Sequence, residues 1–213
     1  MIRANARSRL READLQLLLI VLARGSATRR ADLERRLQRD GPDALLDDPE
    51  LVERLLAART LLAPSPPLFV YAVVRRYLVD AGFDDRELAD YLAALVLDFG
   101  RGDRARQVHP GDAQRHDYLV DLLALVERAE GAERFLVLAH LGNYALWLAG
   151  LFPDRIAARQ ALRGGPDVGY YDRLGRRGYA DASGHAMATD AGLGSLFVVA
   201  AERFPALRAA LNR

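Results

Sequence analysis

There is no cysteine in this chain of 213 residues. Its absence excludes disulfides, thiolate zinc sites, iron–sulfur clusters and cysteine nucleophiles, and the fold has no need of an oxidising compartment. Lysine is missing as well, so all 30 basic residues are arginines. A Walker phosphate loop, whose lysine reaches the terminal phosphates, is therefore impossible. Nor does either sign of charge dominate: 29 acidic residues leave a formal net charge of +1. A dedicated nucleic-acid binder usually carries a clear basic excess, so nucleic acid is not an expected partner. Arginine without lysine, in a chain rich in Ala, Leu and Gly, reads as the codon usage of a GC-rich bacterial genome.

What is present is globular in character. The hydrophobic share is 51% and the charged share 28%, enough apolar material to offset chain entropy. Two apolar runs need placing. Leu15–Ala23 follows an arginine-rich start, but Glu12 and Asp14 interrupt the basic region and no small-x-small site follows, so it reads as a core helix rather than a signal peptide. Phe135–Phe152 holds 18 residues without a formal charge, the lower limit for a bilayer span. His140, Gly142, Asn143 and Tyr144 sit in the middle of it, and a fully buried central helix accounts for them better than hydrocarbon does.

Helix signals recur along the chain and strand signals do not, which predicts an all-α fold. Arg3–Arg24 reads as a first helix closed by Gly25. Ser26 or Thr28 caps a second that ends near Gly41. Asp48-Pro49-Glu50 opens a third, with Leu51, Leu55, Leu56 and Ala58 on its apolar face. Ser65 caps the next behind the break Ala63–Pro67, and the segment from Leu68 to Ala81 is predicted helical although LFVYAVV alone has β-propensity. Asp84 and Glu87 have the spacing of a capping box, and Leu88, Tyr91, Leu92, Leu95 and Phe99 follow at helical spacing. Arg101–Arg115 is the one long polar stretch, a loop and the best place to subdivide a chain otherwise expected to form one domain over 1–213. Helices are then expected at Asp117–Ala129, Ala132–Leu151, Pro153–Leu162, Asp167–Ala182 and Thr189–Leu211, with Pro205 as a kink or restart in the last. The whole reads as a bundle of about nine helices around the central apolar one.

Two helices carry small residues on one face. Gly142, Ala145 and Ala149 lie at i, i+3, i+7 in the central helix, and Gly175, Gly178 and Ala182 do the same in the Asp167–Ala182 helix. Glycine costs about 1 kcal/mol against alanine inside a helix, and close approach of another backbone is the usual reason for accepting it. The two helices are thus expected to cross in the core. On the central helix His140, Asn143, Tyr144 and Trp147 form a polar-aromatic stripe at i, i+3, i+4, i+7. Such a stripe suits either a core whose polar tips pair with neighbouring backbone or a pocket of aromatic faces and a few polar handles. Tyr170, Tyr171 and Tyr179 are placed to supply an opposing wall. These seven residues are the candidate ligand-binding set.

The stretches Leu141–Pro153 (LGNYALWLAGLFP) and Asp167–Tyr179 (DVGYYDRLGRRGY) resemble a group of bacterial helical proteins. These share an LG-x-x-x-L-aromatic-x-x-G-aliphatic-FP segment followed by a YY-x-x-LG-x-x-x-Y segment. The resemblance implies no activity and no catalytic residue.

Chemical motifs are sparse. Gly192-Leu193-Gly194 is too little for a dinucleotide fingerprint. The four histidines, His109, His116, His140 and His185, form neither HExxH nor Glu-x-x-His. His116-Asp117 reads as a surface pair opening a helix, and His140 as an axial haem ligand has no second feature behind it. Ser183-Gly184-His185 lacks a nucleophile elbow. The arginines of Thr28–Arg39 are diluted by Asp32, Glu34 and Asp40, giving a solvated amphipathic face rather than half of a helix-turn-helix. The expectation is a soluble, cytoplasmic protein with no catalytic residue, no metal and no cofactor, acting through a protein partner or homo-oligomer. The alternative is a small-molecule pocket between the helices 132–151 and 167–182.

Overall fold

The computed structural model describes residues 1–58 and 63–212. It is all-helical, with no strand among the described residues. In chain order the helices are α1 (Glu12–Ala23), α2 (Ala27–Asp40), α3 (Asp43–Leu46), α4 (Leu51–Ala57), α5 (Pro66–Asp80), α6 (Arg86–Phe99), α7 (Leu119–Arg128), α8 (Gly131–Leu151), α9 (Pro153–Arg163), α10 (Val168–Ser183), α11 (Ala186–Asp190), α12 (Gly194–Glu202) and α13 (Phe204–Leu211). Short 3₁₀ turns occupy Arg7–Arg9 and Arg104–Arg106.

The thirteen helices among the described residues outnumber the roughly nine of the sequence pattern because turn chemistry divides what periodicity joins. The first helix starts only at Glu12, where Asp14 accepts the Arg11 N–H at 2.9 Å. The expected Thr189–Leu211 helix is cut by Gly192, which holds a φ of +69°, and by Pro205 in the first turn of α13. α3 is a single turn between Pro42 and Asp47 with too few residues to show a period. The cap of α6 is Asp85 rather than Asp84: its Oδ1 accepts from the amides of Glu87 and Leu88 at 2.9 and 3.0 Å. In α4, Leu51 and Leu55 are buried one turn apart, whereas Leu56 lies around the helix in solvent. Ser65 caps α5 as expected, accepting from Leu68 N at 3.3 Å, with Pro66 and Pro67 in the first turn.

The chain divides into two compact units. One is Ala4–Leu97, and the other is Asp98–Arg213 together with Met1–Arg3. In the first, α1 is buried on most sides by Leu17, Leu18, Leu22 and Ala23, while α2 buries only Leu33. Charge stitches this unit. The buried carboxylate of Asp14 accepts from Ser65 N at 3.1 Å and Ser65 Oγ at 2.9 Å. Buried Arg75 donates to Asp47 at 2.9 Å and also to Asp84. Arg7 reaches Asp43 at 2.8 Å, and its backbone N–H donates to Asp90 at 2.6 Å.

The second unit is built around α8. From Val137 to Leu146 every residue of that helix is buried, and so are Phe135, Ala149 and Gly150. No single helix among the described residues is long and apolar enough to cross a membrane. α8 and α9 pass that test only as a pair bent by 88°, and α8 is covered by protein. α10 lies across α8 at the two small-residue stripes. A Cβ built on Gly178 would stand 2.7 Å from Gly142 N and 2.8 Å from Leu138 O, and one built on Gly142 would stand 2.8 Å from the Tyr179 ring. The crossing expected from sequence is therefore present, and only glycine fits at its closest point. Phe135, Tyr179, Phe197 and Phe204 fill the space beside it, with ring centroids 5.3 to 6.4 Å apart. Arg208 pairs with Asp172 at 2.8 Å and ties α13 to α10.

Candidate ligand-binding groove

The seven candidate residues separate into two groups. His140, Asn143 and Tyr179 lie inside the second unit, exposed by 4%, 3% and 0% respectively. Tyr179 Oη donates to Asn143 Oδ1 at 2.8 Å across the α8–α10 crossing, which satisfies two buried polar groups at once. His140 packs against Phe99 at 5.4 Å and stacks on Tyr144 at 6.0 Å. Burial drives its pKa from the ordinary histidine value down to about 3, and Arg104 and His116 nearby push in the same direction. The imidazole is thus neutral, and its Nε2 has no partner among the described residues.

Tyr144, Trp147, Tyr170 and Tyr171 form the second group. They line an open groove of about 740 Å³ on this unit. Its floor comes from the outer edge of α8, where Tyr144 stacks toward Trp147 at 6.3 Å and Trp147 meets Phe152 edge-on at 4.8 Å. The Tyr144 hydroxyl donates to the Asp117 carbonyl at 3.4 Å. Burial raises the pKa of Tyr144 and of Tyr170, so both phenols remain protonated donors. One wall is the polar loop that follows α6, and the other is α9. The expected wall of three tyrosines is only partly realised, because α10 turns Tyr179 inward toward Asn143 while Tyr170 and Tyr171 reach the groove.

The groove also recruits residues outside the stripe on α8. Tyr118 is 54% exposed and Phe152 36% exposed at its rim. Arg155, Arg159 and Arg163 lie along it at i, i+4 and i+8 of α9. The signal that could have found them is the one-sided arginine stripe of PDRIAARQALR. The charge balance matters. Both acids of the lining are already engaged: Asp103 with Arg106 at 3.3 Å and Arg115 at 2.9 Å, and Asp117 with Arg106 at 3.1 Å. Arg155, Arg159 and Arg163 have no carboxylate within ion-pair distance among the described residues. Arg159 instead lies 5.4 Å from the Tyr118 ring centroid. The groove therefore presents uncompensated positive charge beside half-exposed aromatic rings.

A larger cleft of about 1010 Å³ lies on the Ala4–Leu97 unit. Its charged lining is mostly spent internally, in Arg7–Asp43, Arg75–Asp47, Arg86–Asp47 and Arg76–Asp80 pairs. His116 is buried with its amide on the Arg106 carbonyl at 2.8 Å, while Asp117 is exposed, so the pair does not act as a unit. Among the described residues no group of three His, Asp or Glu side chains is placed to hold a metal ion. No protein-family model, no curated protein and no solved structure matches this chain, so the groove is read from its own residues.

Proposed function

We propose that this chain is a non-catalytic binding protein whose Asp98–Arg213 unit takes a segment of a partner protein into the groove between α8 and α9. The observation that carries the reading is the partly exposed aromatic rim of Tyr118, Trp147, Phe152 and Tyr170, above the buried Tyr144 and Tyr171. Large rings half open to water, gathered in one concavity, are the composition of interface cores. Nothing in the lining pairs a nucleophile with a base within hydrogen-bond reach, the arrangement that covalent catalysis needs. A second reading, a small-molecule site, is favoured by the volume, which falls within the roughly 300–1,000 Å³ of ligand pockets.

The test is a selection from a random peptide library against the full chain and against Ala158→Trp, which fills the groove from an exposed position on α9. Peptides enriched on the first and lost on the second are the expected result. A selection that enriches nothing, while naphthoate quenches the single tryptophan, Trp147, moves the assignment to the second reading.

A further inference from the structure

The chemistry of the groove narrows its partner. We propose that the bound segment is acidic and amphipathic, with carboxylates along Arg155, Arg159 and Arg163 and bulky apolar side chains between Tyr118, Trp147 and Phe152. This rests on the groove being a protein-binding site. Successive arginines of the stripe are about 6 Å apart along α9, at four residues per step. Carboxylates one helical turn apart, or two residues apart on an extended chain, repeat at nearly that interval.

Three arginines without an ion-pair partner among the described residues are open to a carboxylate from outside, and a planar guanidinium engages a carboxylate with two parallel hydrogen bonds. The acids of the opposite wall do not compete, because Arg106 and Arg115 hold them. Aliphatic side chains extend the apolar surface. Val120, which lines the groove, is 57% exposed, and Leu162 is 82% exposed. Those two groups favour peptide side chains over a phosphodiester backbone, which gains from stacked rings but nothing from exposed Leu and Val. The concave shape favours a segment over a flat lipid surface.

The experiment follows Trp147 emission and heat of binding on the full chain. The probes are a tryptophan-free Glu/Leu amphipathic peptide of about four turns, its Lys/Leu and Glu/Ser counterparts, an oligo-dT strand and vesicles of anionic phosphatidylglycerol. The Glu/Leu peptide is expected to bind about tenfold or more tighter than the other two peptides, and to weaken as salt rises. The triple variant Arg155→Glu/Arg159→Glu/Arg163→Glu is expected to invert that preference toward the Lys/Leu peptide. Arg155 and Arg163 are exposed and Arg159 half-buried, and unchanged circular dichroism checks that the variant folds. Equal binding of the Glu/Leu and Lys/Leu peptides overturns the acidic partner but leaves the groove as a protein site. Tighter binding of oligo-dT or vesicles, abolished in the triple variant, overturns it in favour of those ligands. If no probe moves Trp147 and the library enriches nothing on the wild type, both readings fall.

Discussion

In the Ala4–Leu97 unit a buried carboxylate ties the start of α1 to the start of α5, and a buried guanidinium joins α5 to the loop after α3. In the Asp98–Arg213 unit the corresponding work is done by missing side chains, since α10 meets α8 through glycines that let backbone touch backbone. The first arrangement suits short helices with little apolar face, such as the four residues of α3 and the seven of α4. The second suits a helix of 21 residues buried almost throughout. Charged links tolerate small shifts because long side chains re-aim, and the close crossing does not, because its atoms are backbone.

The largest effect should come at that crossing. Gly178→Ala gains helix propensity but drives a methyl group into Gly142 N and Leu138 O. Overpacking of this kind costs about 3 kcal/mol, read as a lower urea midpoint. Gly184 has nothing within 4 Å of a built Cβ and is the control site, where alanine should leave the midpoint nearly unchanged. If the crossing accepts Gly178→Ala without loss, the distinction between the two units disappears.

Next in size is Asp14→Ala. It strips acceptors from the amides of Arg11 and Ser65 and from the Ser65 hydroxyl. Leaving such part-buried donors unpaired costs about 1 kcal/mol. Hydrogen exchange should show the loss at the start of α5 and spare α8.

Acid separates the units more gently. The folded-state pKa of His140 is about 3, well below the ordinary 6.5. The unfolded chain therefore takes up the proton first. The stability that the neutral imidazole contributes is complete above pH 6.5 and is lost progressively as pH falls toward 3. At Asp47 burial pushes the carboxyl up, but hydrogen bonds from Arg75 and Arg86 outweigh it and hold the group low. Its contribution goes only when pH falls through the carboxylate range. Asp90, pushed up by burial, works the other way in the same unit. On acidification, amides of α8 should lose protection before those of α5, and His140→Leu should flatten the early limb of the titration. Simultaneous loss in both units would break the comparison.

The same contrast explains what the amino-acid pattern reveals. Small residues at helical spacing are a local signal, so the α8–α10 crossing is legible, as are the central helix and the Ser65 cap. The Asp14–Ser65 and Arg7–Asp90 links join residues 51 and 83 positions apart, and nothing in the local pattern pairs them. Three features escape it for a related reason: a cap displaced by one residue, a single-turn helix and a glycine at positive φ have no period. At the candidate site, the stripe on α8 is legible as helical spacing. It does not say that His140 and Asn143 turn inward while Tyr144 and Trp147 reach the groove, since that division depends on where α10 and the loop after α6 lie. The arginines of α9 escape a search for apolar periodicity, because their own helical spacing is written in charge.

α9 leaves α8 at 88° through Phe152 and Pro153 and buries one residue, Ile156. The arginines of the proposed binding surface are thus carried on an arm that contributes little to holding the unit together. Arg155, Ala158, Arg159 and Arg163 can be rewritten without renegotiating the core, so a protein engineer can graft a different sequence onto that face of α9 and leave the scaffold unchanged.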